Sequence, residues 1–311
     1  VSSGMLLYGC SLIYGLAGST QFQTLAEVLD KGEPALGLIV GMVFLIAGLA
    51  FKISGVPFHK WTPDVYEGAP TPVTELFAVV PKVAAVCLIL RTMMGPFGEL
   101  TDQWQEVITL IAVASMVLGA IAAIQQTNLK RLMAYNLIGH MGYALVGVAA
   151  GAKCVMIYMA IYLFINIGTF SVVLSMRQES RYAENISDLS GLNKSHSMIA
   201  LAMLTFMFSM AGIPPLARFC SKWYVFLAEI NADLYGLTVI GVLASVVGAF
   251  YYIRINRVIY CDDSDQALDN GISVDMRVIM RATAVVTLLF FITPAPMVDL
   301  TGLSAKTLFI K

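Results

Sequence analysis

Long apolar stretches separated by short polar connections run along the whole chain. Because a helix that crosses a bilayer needs about 20 mostly apolar residues, each such stretch is a candidate membrane span. The pattern predicts about nine spans of this length, near residues 2–18, 35–57, 72–95, 104–125, 130–150, 153–177, 197–229, 234–260 and 276–297. The longest polar stretches, 178–196 and 261–275, are short loops, so we expect a single integral membrane domain over residues 1–311.

Composition agrees with an all-α fold, a polytopic membrane helix bundle. Hydrophobic residues make up 58% of the chain and charged residues 13%, whereas soluble domains carry roughly 25% charged residues. The net charge of −1 gives no basic field for a nucleic-acid partner. The five cysteines contain no CxxC pair, so neither a disulfide scaffold nor a zinc or iron–sulfur site is expected.

The lysines and arginines of the loops predict an orientation. Ten lie in connections on the side of residue 1 and five on the opposite side. By the positive-inside rule the N-terminus lies on the cytoplasmic or matrix side. The chain also begins without methionine and almost without polar residues, which leads us to expect that an upstream part is missing.

Four basic residues fall inside the predicted spans: Lys52, Lys82, Arg218 and Lys222. A charge at the bilayer centre costs about 2.5–3.5 kcal/mol on insertion scales, although a lysine near a helix end can extend to water and needs no function. Lys82 lies about ten residues into its span, roughly 15 Å deep in a core of about 30 Å. It must therefore meet water, a carboxylate or carbonyls inside the protein, and Pro81 frees the nearby Phe77 carbonyl.

Lys52 and Lys222 accompany two predicted helix breaks. Pro57 and Gly55 interrupt the helix that carries Lys52, which is interfacial if the helix stops there and central if the broken helix extends to about residue 66. We favour the second interpretation, since broken helices in membranes lie in protein interiors or beside wet cavities. Pro214 and its neighbours break the helix of Lys222 in the same way. Arg218 precedes Lys222 by one turn, so the two cations repel unless one reaches water or an anion.

Glu75 and His140 complete the candidate site. Glu75 lies two turns before Lys82 on the same face and is either part of a carboxylate–lysine relay or a carboxylate at a helix start. His140 lies about ten residues into its span and is either a hydrogen-bonded helix contact or a proton relay. The sequence contains no paired metal ligands, phosphate loop or nucleophile elbow, so we expect no cofactor and no redox chemistry in this chain. Buried lysines between apolar helices suit proton movement better than metabolite transport.

Three long motifs carry a family resemblance: FKISGVPFHKWTPDVYEGAPTPVTELF, QQTNLKRLMAYNLIGHMGY and SMAGIPPLARFCSKWYVF. They resemble subunit 2 (subunit N in bacteria) of proton-pumping NADH–quinone oxidoreductase, respiratory complex I. The resemblance covers essentially all 311 residues. It implies an antiporter-like fold with two proline-broken helices, and proton transfer through Lys52, Lys82, His140 and Lys222 along a polar axis. NADH oxidation and quinone chemistry would belong to other subunits.

The sequence also departs from that family. Members usually have five further N-terminal helices that carry a key glutamate, and here either a separate polypeptide supplies them or the subunit is shortened. Arg218 replaces a usual glycine, and Glu75 replaces a small or apolar residue. Our hypothesis is that Glu75 or Arg218 partly offsets the missing helix, and unchanged proton translocation in Glu75→Gln would count against the role of Glu75.

The resemblance implies a proton-translocating subunit that contacts other membrane-arm subunits, including antiporter-like neighbours, and lipids. Two alternatives stay open: a structural connector that moves no protons, and a sodium/proton antiporter subunit. A continuous polar path through the lysines and His140 would distinguish the pump from the connector. We expect a mitochondrial inner membrane, with a bacterial plasma membrane as the alternative.

Overall fold

The computed structural model describes residues 1–30, 35–178, 181–263 and 273–308. The helices in these ranges are α1 (Ser2–Ala17), α2 (Phe22–Asp30), α3 (Leu36–Ile53), α4 (Trp61–Gly68), α5 (Thr71–Met93), α6 (Thr101–Ile124), α7 (Leu129–Ala150), α8 (Ala152–Ser175), α9 (Leu192–Ser195), α10 (Ser197–Ala211), α11 (Ala217–Asn231), α12 (Tyr235–Cys261), α13 (Val274–Ile292) and α14 (Ala295–Leu308). Strands β1 (Arg177–Gln178) and β2 (Arg181–Tyr182) pair antiparallel. The predicted helical class is confirmed, and part of the polar stretch 261–275 lies outside the described residues.

Six helices are long and apolar enough to cross a membrane: α3, α5, α6, α7, α8 and α12. Helices α13 and α14 meet at 94° and count as a seventh if the pair forms one span. The chain is therefore an integral membrane protein. The predicted spans 2–18 and 197–229 begin with shorter helices, because α1 has 16 residues and α10 has 15. Since a helix of that length covers only about 23 Å of a core of about 30 Å, nine spans stays a prediction.

Helices α7 and α8 lie at the centre of the bundle. Within the apolar windows of these helices, 89% of α7 and 78% of α8 are buried. Glycines let α6 approach α7 closely: a Cβ added at Gly119 would lie 2.5 Å from the backbone nitrogen of Gly139. Small residues serve this purpose in membrane proteins, where helices associate by close packing.

Charged side chains near the ends of the long helices are paired. The pairs are Lys130–Glu184 at 2.6 Å, Arg131–Glu67 at 2.7 Å, Arg131–Asp64 at 2.9 Å, and Lys194–Asp263. A hydrogen bond from Lys194 and its positive charge hold the pKa of Asp263 below its usual range. Lys130, a loop cation by sequence, is buried and also donates to the Ala69 carbonyl at 3.0 Å. The basic side chains inside the bundle, Lys82, Arg218 and Lys222, form no such ion pair within the described residues.

Candidate functional site

The end of α3 supplies acceptors to the bundle interior. The helix stops at Ile53, and Ser54 adopts the left-handed conformation with φ of 64°. The Gly55 N–H closes the last turn by donating to the Ala50 carbonyl at 2.8 Å. The Lys52 carbonyl belongs to the last turn of the helix, where carbonyl oxygens lack partners within the helix. It can therefore accept a hydrogen bond from another helix.

Lys82 on α5 uses these acceptors. Its side chain is 1% exposed, and its Nζ donates to the Lys52 carbonyl at 2.8 Å and to the Ser54 Oγ at 2.6 Å. The same Nζ lies 4.8 Å from the centroid of the Trp61 ring, in cation–π geometry. We call these four residues the Lys82 cluster. The expected local acceptor, the Phe77 carbonyl, is not used, because the free carbonyl at the negative end of α3 lies within reach.

The side chains of Lys52 and Glu75 lie apart from the Lys82 ammonium, in line with the interfacial and helix-start alternatives. Lys52 contributes its carbonyl to the cluster, while its side chain is exposed on the surface of the described chain. Glu75 is half-buried and, within the described residues, forms neither a hydrogen bond nor an ion pair. Seven residues separate it from Lys82, a rise of about 10.5 Å along α5. The structure therefore does not bring Glu75 and Lys82 together.

Lys222 lies beside the second helix end. Helix α10 stops at Ala211, and Gly212 follows with φ of 83°, which favours glycine. Lys222 on α11 is 6% exposed, and its Nζ would lie 3.5 Å from a Cβ added at Gly212. The Nζ donates to the Ser245 Oγ at 2.5 Å and lies 5.0 Å from the centroid of the Tyr143 ring. The ammonium is thus held by one hydroxyl and one aromatic face.

His140 on α7 forms a buried hydrogen-bonded row. Its Nδ1 lies 2.9 Å from the Tyr158 hydroxyl on α8, and its Nε2 lies 3.2 Å from the Tyr252 hydroxyl on α12. Tyr252 donates in turn to the amide oxygen of Asn136. Because one ring nitrogen accepts and the other donates in neutral histidine, the row can carry a proton in either direction. Both interpretations of His140, helix contact and relay, are compatible with this geometry.

A small cavity joins His140 to Lys222. Its volume is about 20 Å³, which is room for one water molecule. The polar residues that line it are Asn136, His140, Tyr143, Lys222, Ser245, Tyr251 and Tyr252. We call these seven residues the Lys222 cluster. A water in this cavity would have several donors and acceptors within reach, as buried waters require.

Arg218 is the largest fully buried polar side chain described. It is 0% exposed, and its guanidinium carbon lies 4.8 Å from the Tyr158 ring centroid and 5.4 Å from that of Tyr162. None of its three guanidinium nitrogens has a hydrogen-bond partner within the described residues. Within the described residues, the guanidinium is therefore stabilised by cation–π contacts with these two tyrosine rings and by no side-chain hydrogen bond. The sequence predicted that this cation or Lys222 needs water or an anion, and no described carboxylate meets either one.

Glu229 on α11 is a buried carboxyl that the sequence analysis overlooked. It is 1% exposed, and neither carboxylate oxygen has a hydrogen-bond partner within the described residues. A signal was present, because Glu229 follows Lys222 by seven residues and so lies two turns away on the same face of the helix. The proximity of Glu229 to the end of the predicted span 197–229 made it resemble a loop charge.

A model of one protein family matches residues 1–248 of the chain. That family is described as NADH:quinone oxidoreductase/Mrp antiporter, transmembrane. The chain belongs to this family. The match covers well over half of the sequence and includes both helix ends, the Lys82 cluster, His140 and the Lys222 cluster as far as Ser245. The family explains the arrangement of the long helices without assigning a role to any one side chain.

Two bacterial relatives of this antiporter-family chain show the predicted resemblance. NADH-quinone oxidoreductase subunit N of Rhodospirillum rubrum is 57% identical over 313 residues, which include 99% of this chain. The protein of the same name from Paramagnetospirillum magneticum is 52% identical over 318 residues, again with 99% of the chain. The chain spans 64% and 65% of the lengths of these two relatives. The resemblance to subunit N is therefore confirmed over about two thirds of each relative.

Solved structures show the same fold. Respiratory complex I from Thermus thermophilus with bound aureothin contains a chain that matches with a TM-score of 0.83 at 29% identity, covering 96% of this chain and 65% of that one. The Mrp complex from Dietzia sp. DQ12-45-1b matches with a TM-score of 0.87 at 21% identity, covering 99% of this chain and 66% of that one. The second likeness shows the fold alone. An antiporter-like helix bundle is thus common to both.

Two of the predicted site residues share one site in this antiporter-family chain. His140 and Lys222 line the same cavity, whereas Lys82 lies in a separate cluster. No hydrogen bond between described residues joins the two clusters. Tyr162 spans the gap between α8 and α5, because its hydroxyl donates to the Ala78 carbonyl at 2.7 Å, one turn before Lys82. The predicted polar path is therefore present in two parts, with tyrosines between them.

Proposed function

We propose that this chain is a proton-translocating membrane-arm subunit of an NADH–quinone oxidoreductase. Protons move through Lys82, His140 and Lys222, while electron transfer takes place in other subunits and drives the movement. The chain itself holds no cofactor and catalyses no redox step. The support comes from the family, from relatives named subunit N, and from lysines buried at membrane depth.

One observation carries the proposal: an ammonium and an imidazole line the same water-sized cavity inside the bundle. A buried cation is expensive in a membrane, so a lysine kept at that depth indicates function. The His140 imidazole can pass a proton through the cavity to the Lys222 amine after that amine has released its own, and its other ring nitrogen recovers a proton across the hydrogen bond with the Tyr158 hydroxyl. A purely structural connector would not need a titratable pair around a wet cavity.

Lys82 provides the second exchanging group. Its acceptors, the Lys52 carbonyl and the Ser54 hydroxyl, lie at the C-terminal end of α3, where the helix breaks. We infer that α3 with α4, and α10 with α11, are the two halves of two proline-broken spans. Together with α1 and the α13–α14 pair, the α10–α11 pair brings the six long apolar helices, of which α3 is one, to nine spans in a single membrane domain over residues 1–311. A shift at either break would move an acceptor relative to a lysine, which couples backbone motion to proton exchange.

Lys52 and Glu75 take subsidiary roles in this proposal. The exposed Lys52 ammonium lies where another membrane-arm subunit or lipid would cover it, close enough for its charge to act on Lys82. The half-buried Glu75 is a proton donor or acceptor at the side of residue 1. Neighbouring antiporter-like subunits are the partners that this arrangement requires.

We propose a bacterial plasma membrane as the location, with the N-terminus on the cytoplasmic side. The support is that both relatives described above are bacterial. They give no support to the expected mitochondrial membrane. The loop charges support the sidedness.

The proposal is tested by Lys222→Met in the complete oxidoreductase, in membrane vesicles. We expect NADH oxidation to continue and NADH-driven acidification of the vesicle interior to fall about tenfold or more, as loss of a positioned acid–base group commonly gives. The control is Lys153→Met, which removes an exposed lysine at the start of α8. Unchanged acidification in Lys222→Met would leave only the connector role. Acidification that requires sodium in the medium would indicate the antiporter instead.

A further inference from the structure

Glu229 occupies a position that is unfavourable for an ionised carboxylate. It lies in the last turn of α11, two residues before the helix ends at Asn231. The C-terminal end of a helix carries partial negative charge, so an acidic side chain is disfavoured there. The side chain is also 1% exposed, neither carboxylate oxygen has a hydrogen-bond partner within the described residues, and the nearby Thr238 hydroxyl donates instead to the Leu234 carbonyl at 3.4 Å. An ionised carboxylate would thus lack water, a counter-charge and a favourable dipole at once.

The same position lies between Lys222 and a membrane face. Glu229 is about 10.5 Å along α11 from Lys222, on the same side of the helix. Just beyond it, Asn231, Ala232 and Asp233 are exposed. The backbone of Leu234 folds back to donate to the Glu229 carbonyl at 2.9 Å. The carboxyl therefore lies beneath a thin surface turn.

Helix α12 provides hydroxyl groups and an accessible backbone carbonyl beside the part of α11 that lies between Lys222 and Glu229. Thr238, Gly241 and Ser245 recur every three or four residues and so form one face of α12. Ser245 accepts the hydrogen bond from Lys222, and the Tyr143 hydroxyl donates to the Gly241 carbonyl at 2.8 Å. Polar groups thus accompany α11 from Lys222 towards Glu229.

We propose that Glu229 is the carboxyl through which protons pass between Lys222 and the membrane face at the end of α11. This inference rests on the proposed function and adds a residue to it. The Lys222 ammonium gives one proton, through Ser245, Tyr143 and water, to the Glu229 carboxylate. Glu229 then releases a proton at the surface turn and becomes a carboxylate again, while Lys222 takes up a proton from the His140 side. Each cycle moves one proton and leaves both groups unchanged.

The test uses vesicles that contain the complete oxidoreductase with Glu229→Gln, Glu229→Asp or the control Glu106→Gln. Glu106 is an exposed carboxyl in α6. We expect Glu229→Gln to oxidise NADH and to lose about tenfold or more of its proton translocation, because glutamine cannot exchange protons. Glu229→Asp should restore a substantial part, and Glu106→Gln should match the unmodified protein. A merely structural hydrogen-bonding role would instead be preserved by glutamine.

A second readout is infrared spectroscopy of the purified complex, comparing resting and turning-over enzyme. The carbonyl-stretch signal of a carboxylic acid should be lost in Glu229→Gln and kept in Glu106→Gln. Loss of translocation in Lys222→Met together with full translocation in Glu229→Gln would overturn this inference and leave the proposed function intact. Full translocation in Lys222→Met would overturn the proposed function itself, and the inference with it.

Discussion

The Lys82 and Lys222 clusters are built from the same parts and differ in how completely they satisfy their charges. Each ammonium donates to a serine, at 2.6 Å and 2.5 Å, and lies over an aromatic ring, at 4.8 Å and 5.0 Å. Lys82 has a further acceptor in a helix-end carbonyl. Lys222 has none described, and it shares α11 with two unpartnered charged side chains, Arg218 and Glu229.

This difference in hydrogen bonding determines how readily each lysine loses its proton. A buried cation with two acceptors and an aromatic face stays protonated until the break beside it moves. A buried cation with one acceptor, next to another cation and a water-sized cavity, can lose its proton without losing many contacts. We therefore infer that both lysines exchange protons, Lys82 only when the helix break beside it moves and Lys222 without such a movement.

The largest effect that tests this comparison is the change in the stability of the complex when a buried cation is replaced by methionine. Arg218→Met removes an unpaired buried charge, and replacing buried charges by apolar residues of similar volume is often neutral or stabilising by about 1–4 kcal/mol. Burying an unpaired ion costs several kcal/mol, which offsets the lost cation–π contacts, worth about 2 kcal/mol or more each when desolvated. Lys82→Met leaves a carbonyl and a hydroxyl unpaired and should destabilise by about 1–3 kcal/mol. The measurement is the apparent melting temperature of the purified complex, which should rise for Arg218→Met and fall for Lys82→Met.

The opposite order of melting temperatures would break the comparison. A large fall in Arg218→Met would mean that the guanidinium has an anionic partner in the complete complex, since losing one member of a buried pair costs about 3–5 kcal/mol. Arg218→Lys should be intermediate, because it keeps the charge and loses the planar stack against the tyrosine rings.

A smaller effect is expected on proton translocation when the serine of each cluster, Ser245 or Ser54, is replaced by alanine. Ser245→Ala removes the one described acceptor of Lys222, whereas Ser54→Ala leaves Lys82 with the Lys52 carbonyl. A lost hydrogen bond to a charged group is worth about 1.5–3 kcal/mol. We therefore expect proton translocation per NADH oxidised to fall about tenfold in Ser245→Ala and about threefold in Ser54→Ala. Equal losses, or a larger loss for Ser54→Ala, would show that the clusters do not differ in the way described.

Much of this architecture could be predicted from hydropathy and depth alone. Six of the predicted spans coincide with long apolar helices, because membrane crossing imposes a length that short-range sequence statistics reveal. Burial of Lys82 also followed from depth, since a lysine halfway along a span cannot reach water. The helix ends near Gly55 and Gly212 were marked by glycine and proline.

The contacts could not be predicted, because they join helices far apart in the chain. Lys52 contributes its backbone carbonyl to the Lys82 cluster and not its ammonium, and this depends on how α3 packs against α5. The tyrosines around His140 come from α8 and α12, and a single sequence does not reveal which aromatic residues will face inward. Glu229 was missed for a different reason: a carboxyl near a span end resembles a loop charge until its burial is known.

The most direct test of the central claim, that buried lysines release and rebind protons, is proton translocation per NADH oxidised in Lys82→Arg. Arginine keeps the positive charge and the hydrogen-bond donors, and the Lys52 carbonyl and Ser54 hydroxyl can accept from it, yet it does not deprotonate in proteins. The account predicts that Lys82→Arg assembles, oxidises NADH and loses translocation as completely as Lys82→Met. Full translocation in Lys82→Arg would contradict it, because a fixed charge would then be sufficient.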